Sequence, residues 1–244
     1  MSEIKVLISQ NAPQVPGTYS SVEQEFGAKI DFVPFFLIQP LTSREFRGQR
    51  INISDYTAFV FSSRTAIDAF FSLCEELRVK IPETMKYFCS TEAVAKYLQK
   101  HIVYRKRKIF FGNGTPESIL AEIGTKHAGE KFLITTSGST STDITRAFEN
   151  TKLDWTPAIF TKPVPQDITN LKLEDYAVIA LYSCNDVDSI YHNFPDFKQG
   201  NIKFISFGKS TAKAMEKAGL AIEIAAPTAE VPSVAKALEI YLKK

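Results

Sequence analysis

Short apolar runs alternate with helical spacing along the whole chain. The runs at residues 6–8, 58–61, 87–89, 109–111, 178–181, 204–207 and 222–226 suit strands. Those at 58–61 and 178–181 are continuously apolar, as in strands buried on both faces. Helical spacing lies between them. Ile67, Phe70, Phe71, Cys74 and Leu77 share one face, as do Val94, Tyr97 and Leu98. Ala212, Met215 and Ala218 make a third, closed by Gly219. Thr115-Pro116-Glu117 opens another helix, with threonine as cap and proline in the first turn. A weaker helix is expected over 22–26. The alternation predicts an α/β fold on parallel sheets covered by helices. The β-rich segments 30–38 and 153–164 carry or adjoin Pro34, Pro40, Pro157, Pro163 and Pro165. Proline cannot donate to a ladder, so both are expected as edge or linking strands.

The second half of the pattern repeats the first. Lys5-Val-Leu-Ile-Ser9 answers Lys131-Phe-Leu-Ile-Thr135, and Lys29-Ile-Asp-Phe answers Lys152-Leu-Asp-Trp. The block from Tyr56 answers that from Tyr176, and the block from Met85 answers that from Lys203. The spacing drifts slowly, as loop-length changes would make it. A period this long predicts two similar lobes with a cleft between them, where ligands often bind.

Composition narrows the class. A chain of 244 residues that is 44% hydrophobic and 23% charged can fold as two globular lobes. A net charge of +2 gives no reason to expect nucleic acid. The basic run Arg105-Lys-Arg-Lys108 has no interleaved aromatics and reads first as a solvated strand entry. Cys74, Cys89 and Cys184 show no CxxC spacing, which suits a reduced cytoplasmic compartment. His101, His127 and His192 are scattered, so no metal site is expected. No apolar stretch has the length of a membrane span.

The loops after the expected strands are rich in hydroxyls. They include Ser62-Ser63-Arg64-Thr65, Ser90-Thr91, residues 135–142, Ser183-Cys-Asn185 and Gly208-Lys-Ser-Thr211. Each opens a helix, where Ser, Thr and Asn are also the preferred caps, so every one has a structural use. Helix starts also bind anions through free N–H groups and the helix dipole. Several of them would suit a polyanionic ligand without many Lys or Arg. Gly208-Lys-Ser-Thr lacks the upstream glycines of a P-loop, and no GxGxxG or GxSxG occurs.

These blocks resemble the uroporphyrinogen-III synthase family. Phe61-Ser62-Ser63 and Tyr182-Ser183 stand at its strand-to-helix turns. Phe207-Gly208-Lys209-Ser210-Thr211-Ala212 matches its Gly-x-x-Thr-Ala turn, and Ala225-Ala-Pro-Thr228 its last loop. The resemblance implies two similar lobes, each a parallel sheet flanked by helices, joined by two linking strands near 32–39 and 155–164. One lobe would take 1–38 plus 165–244 and the other 39–164. It implies a cyclising hydro-lyase that closes hydroxymethylbilane to uroporphyrinogen III, inverting the last ring, for tetrapyrrole and heme synthesis. No cofactor or metal is implied. The ligand would be a small-molecule polycarboxylate tetrapyrrole, and the protein a cytoplasmic monomer binding neither nucleic acid nor membrane. Substrate-binding residues would be Ser62, Ser63, Thr65, Ser90, Ser137, Gly138, Ser183, Lys203, Gly208, Ser210 and Thr211.

The chain departs from the family pattern at several of these turns. Phe160 stands where the family carries a tyrosine that assists loss of the hydroxyl, at a position expected to face a wet cleft. Tyr182 is then the expected catalytic phenol. Glu92 and Asp186 replace uncharged residues of the family turns and are expected to bring negative charge to the ligand. An alternative reading is a non-catalytic synthase-like protein that binds an acidic ligand or a partner protein.

Overall fold

A computed structural model describes residues 4–243. The chain forms two compact units, one of residues up to Leu37 together with those from Val164 on, the other Ile38–Pro163. It therefore crosses between units twice, each time within a strand.

The first crossing follows β1 (Lys5–Ile8), α1 (Ser20–Phe26) and β2 (Lys29–Phe32), and runs through β3 (Phe36–Pro40). The second unit continues with α2 (Ser43–Arg47), β4 (Ala58–Phe61), α3 (Arg64–Glu76), β5 (Lys86–Cys89) and α4 (Glu92–Tyr97). It then adds β6 (Ile109–Phe111), α5 (Pro116–Ile123), β7 (Lys131–Ser137) and α6 (Asp143–Glu149). The long β8 (Asp154–Pro165) returns to the first unit. There follow β9 (Val178–Leu181), α7 (Cys184–Asn193), β10 (Lys203–Phe207), α8 (Lys209–Lys217), β11 (Ile222–Ala226) and α9 (Val234–Leu242).

The first unit holds a sheet of order β11-β10-β9-β1-β2, and every neighbouring pair is parallel. Alternation along each strand explains its apolar runs. Leu7, Ile179, Leu181 and Phe204 face α7 and α8 through Val187, Ile190 and Met215. Val6, Ile8, Val178, Ala180 and Ile205 face α1 and α9 through Val22, Val234 and Leu238. Both faces are covered, so no residue of the central strand β9 can be polar without a buried partner.

The other sheet has the order β3-β8-β7-β4-β5-β6. Phe59 and Phe61 pack on Phe46 of α2 and on Ile67, Phe70 and Leu73 of α3. Ala58, Val60 and Phe132 pack on Ile119 and Ile123 of α5 and Phe148 of α6. Proline-bearing β3 is an edge strand, as Pro40 within it requires. β8 is not at the edge, although Pro157 lies within it opposite Ile134 of β7. The Gln49 amide resolves the conflict. Its oxygen accepts from Ile159 N at 2.8 Å and its nitrogen donates to Ile159 O at 2.7 Å. A side chain thus takes the place of a strand along this stretch of β8.

Candidate functional site

Parallel strands deliver their following helices at one end of each sheet, so helix starts and loop hydroxyls gather at the carboxyl ends. In the first unit, β9 runs through Tyr182 into α7. Ser183 caps that helix, its Oγ accepting from Asn185 N at 3.2 Å. Asp186 turns back over the same start. Its Oδ2 accepts from Tyr182 N at 2.8 Å, Ser183 N at 2.9 Å and Ser9 Oγ at 2.8 Å. Ser9 stands beside this turn because β1 is the neighbour of β9, with Ser9 N donating to Ala180 O. Asp186 is fully buried, and its Oδ1 has no hydrogen-bond partner among the described residues. Burial pushes its carboxyl above the usual carboxylate range, while the three donors pull the other way. Asp186 does not present its charge at the surface. It was expected to face a ligand because sequence shows a charge but not a cap that folds back on its own helix.

The Tyr182 hydroxyl lies 3.2 Å from that of Tyr19, and its ring is 5.2 Å from Phe207. Burial first, and the Tyr19 contact second, raise its pKa. The phenol therefore keeps its proton through neutral pH and has one to donate, while its oxygen can still accept. A cavity of about 330 Å³ beside it is lined by Ser9, Gln10, Asn11, Phe36, Tyr182 and Asp186.

The next helix along the sheet begins differently. Gly208, the residue before α8, has φ of 98° and no side chain caps the helix. A β-carbon is disfavoured at that angle, so the turn calls for glycine. Gly208 N donates to Ala226 O at 2.6 Å. Lys209 and Ser210 are exposed on the first turn, which carries no acidic residue. Thr211 is fully buried and donates to Phe207 O at 2.9 Å, so it ties strand to helix and is closed to a ligand. Lys203 begins β10, at the opposite end of the strand from Gly208, with Nζ 3.8 Å from Glu223. It lies apart from the other candidates, because the repeat placed its block but not its end of the strand.

In the second unit, Ser62, Ser90 and Ser137 come together. Ser90 Oγ donates to Ser62 O at 3.0 Å. All three line a cavity of about 330 Å³, joined by Thr115 and Thr142 over walls of Val60, Ile119 and Ile134. Thr115 and Thr142 are helix caps that sequence reading saw only as caps or as part of a hydroxyl loop. Ser63 is occupied as the cap of α3, accepting from Ala66 N at 3.1 Å. Thr65 is exposed on the first turn of α3. Gly138 has φ of 66°, and a Cβ there would meet Pro163 Cδ at 2.8 Å, so it is a packing glycine. Glu92 is paired with Lys96 at 2.9 Å across one helical turn.

Phe160 does not face water. It is 1% exposed, with ring centroids 4.9 Å from Phe46 and 5.5 Å from Phe70. A bulge in the β7–β8 pairing skips it, since Thr136 pairs with Ile159 and Ser137 with Thr161. Two-residue alternation puts Phe160 on the same apolar face as Ala158, but the alternation alone could not show which side was wet.

Other chemistry is sparse. Among the described residues no three His, Cys, Asp or Glu side chains come together as metal ligands would. Cys74 and Cys89 are buried, their thiols pushed up to about 12 by burial. A cavity of about 1050 Å³ lies at the amino end of the first unit's sheet and includes Glu174, Asp175 and Asp196. Lys5 and Lys198 line it as well, so its charge is mixed.

The family description of uroporphyrinogen-III synthase HemD matches residues 18–236. A uroporphyrinogen-III synthetase structure from Helicobacter pylori is similar at 16% identity and a TM-score of 0.58, over 98% of this chain and 99% of that one. A mutant uroporphyrinogen III synthase from Thermus thermophilus is similar at 14% identity and a TM-score of 0.52, over 98% and 97%. At such identity the structures speak for the fold alone. No curated protein matches the chain.

Proposed function

Since the chain belongs to the uroporphyrinogen-III synthase family, we propose that it cyclises hydroxymethylbilane to uroporphyrinogen III, losing water and inverting the last pyrrole ring. The family match over 18–236 carries this reading. The open start of α8 supports it, because uncapped N–H groups and Lys209 attract a carboxylate. The hydroxyl-lined cavity of the second unit offers further neutral donors. Tyr182 is the proton donor of this reading: its phenol gives a proton to the departing hydroxyl, which leaves as water. Bringing the two ends of the bilane together does most of the work, since proximity supplies about 7–11 kcal/mol. Three unpaired cysteines, two of them buried, support a cytoplasmic setting, and a net charge of +2 supports a ligand other than nucleic acid.

The test is the product of the reaction. Fresh hydroxymethylbilane incubated with the purified protein should yield the type III isomer in excess of type I. Tyr182→Phe should lower turnover by about 10²-fold, the lower end of general acid help. Phe160→Tyr should not raise turnover, and should destabilise the protein by about 1–3 kcal/mol by burying a hydroxyl among phenylalanines. Only the spontaneous type I isomer from the parent protein would show the reading to be wrong.

A further inference from the structure

The amino end of the second unit's sheet carries a basic, partly apolar hollow that the reaction above does not use. The loops entering β5 and β6 lie side by side because those strands are parallel neighbours. Between them is a cavity of about 210 Å³. Met85 and Tyr87 are its buried floor, and Ile81 and Ile102 its half-buried walls. Val103 forms the lip and is 77% exposed. The volume falls below the roughly 300–1,000 Å³ of pockets that enclose a small molecule. It suits a single side chain, as the anchor pockets of protein interfaces do.

Charge singles out the same place. Residues 78–108 hold nine Lys and Arg against Glu83 and Glu92, in a chain of net charge +2. Both glutamates are already engaged, Glu83 with Arg105 at 3.2 Å and Glu92 with Lys96 at 2.9 Å. Lys106 and Arg107 are exposed, and neither they nor Lys108 has an ion-pair partner among the described residues. Lys108 itself lines the hollow. A partly apolar cavity, lined also by the Glu83–Arg105 pair, an exposed valine at its lip and unpaired cations beside it ask for one complement.

We propose that this hollow docks an acidic segment of a partner protein. One apolar side chain enters the cavity against Val103, and flanking carboxylates meet Lys106, Arg107 and Lys108. A lipid surface has no side chain to fill a concave pocket. Single-stranded nucleic acid stacks on exposed aromatic faces, and Tyr87 here is buried. The hollow lies at the amino ends of the strands and the hydroxyl cavity at their carboxyl ends, so docking leaves the latter free.

The experiment uses the full chain and a short fluorescein-labelled peptide with a central Leu-Phe pair among Asp and Glu. Anisotropy should show saturable micromolar binding. Lys106→Glu/Arg107→Glu and Val103→Asp should each weaken it by about tenfold or more, as charge reversal and loss of an anchor do. Replacing Leu-Phe with Ala-Ala should weaken it as much. All three residues are exposed, so the variants should melt with the parent and keep its turnover. The proposal is overturned if the peptide does not saturate or if the variants bind it like the parent. Tighter binding of phosphatidylserine vesicles or a single-stranded oligonucleotide than of the peptide would overturn it too.

Discussion

Helices α7 and α8 leave neighbouring strands of one sheet, and their first turns meet the same need in opposite ways. The start of α7 is filled from within: Asp186 takes the N–H groups of Tyr182 and Ser183 and the hydroxyl of Ser9. The start of α8 is left open behind a glycine, with Lys209 beside it. A strand-to-helix turn is thus a finished piece of structure in one helix, with Ser183 extended at φ of −146°, and is left open in the other, where Gly208 has φ of 98°. An internal carboxylate and a ligand carboxylate compete for the same donors, so a turn that holds one is closed to the other.

The strongest way to break this comparison is Asp186→Ala. It strips one buried and two half-buried donors of their acceptor, and stability measured by urea unfolding should fall by about 2–4 kcal/mol. An unchanged midpoint would mean that the α7 start does not depend on its internal anion. Ser9→Ala removes only one of the three donors and should cost about 1–2 kcal/mol in the same measurement.

Ser210→Asp tests the open turn and sharpens the contrast, because its two effects have opposite signs. A carboxylate on the first turn should stabilise α8 by about 0.3–1 kcal/mol. The same group should weaken substrate binding by about tenfold, close to 1.4 kcal/mol. A rise in melting temperature with an unchanged KM would show α8 to be a structural start like α7.

The smallest effect concerns pH. Burial raises the folded-state pKa of Asp186, so its stabilising contribution is present at low pH and is lost as pH rises through that value. Asp186→Asn keeps an acceptor for the three donors and removes the buried charge. Relative to the parent, this variant should gain stability between about pH 4, the usual aspartate value, and pH 7. A parallel pair of stability–pH curves would show that Asp186 titrates as it does in water.

The strands and most helix starts were legible because each depends on near neighbours in the chain. A run such as 178–181 must be buried on both faces wherever it sits, and a Ser or Thr before an apolar periodic stretch caps locally. Ser63, Thr115 and Ser183 cap as expected. The candidate site was legible only in part. Ser62, Ser90 and Ser137 meet in one cavity, whereas Lys203 stands at the other end of its strand. Thr211 and Ser210 are adjacent in sequence, yet one is fully buried and the other exposed. Helical rotation of about 100° per residue separates them, and only the packing of α8 decides which side is dry.

Local chemistry in the sequence determined the α/β alternation, the caps, the glycine at 208 and the edge position of proline-bearing β3. Tertiary structure decided what each polar group could reach. Ser9 and Asp186 meet across 177 residues because β1 and β9 are parallel neighbours. Gln49 stands in for a strand beside Ile159, and packing against Phe46 and Phe70 takes Phe160 into the core. Hydrogen bonds and burial act over a few ångströms of space, whatever the distance along the chain. The charge of Asp186 could be read from the sequence, but that it serves its own helix was set by the fold.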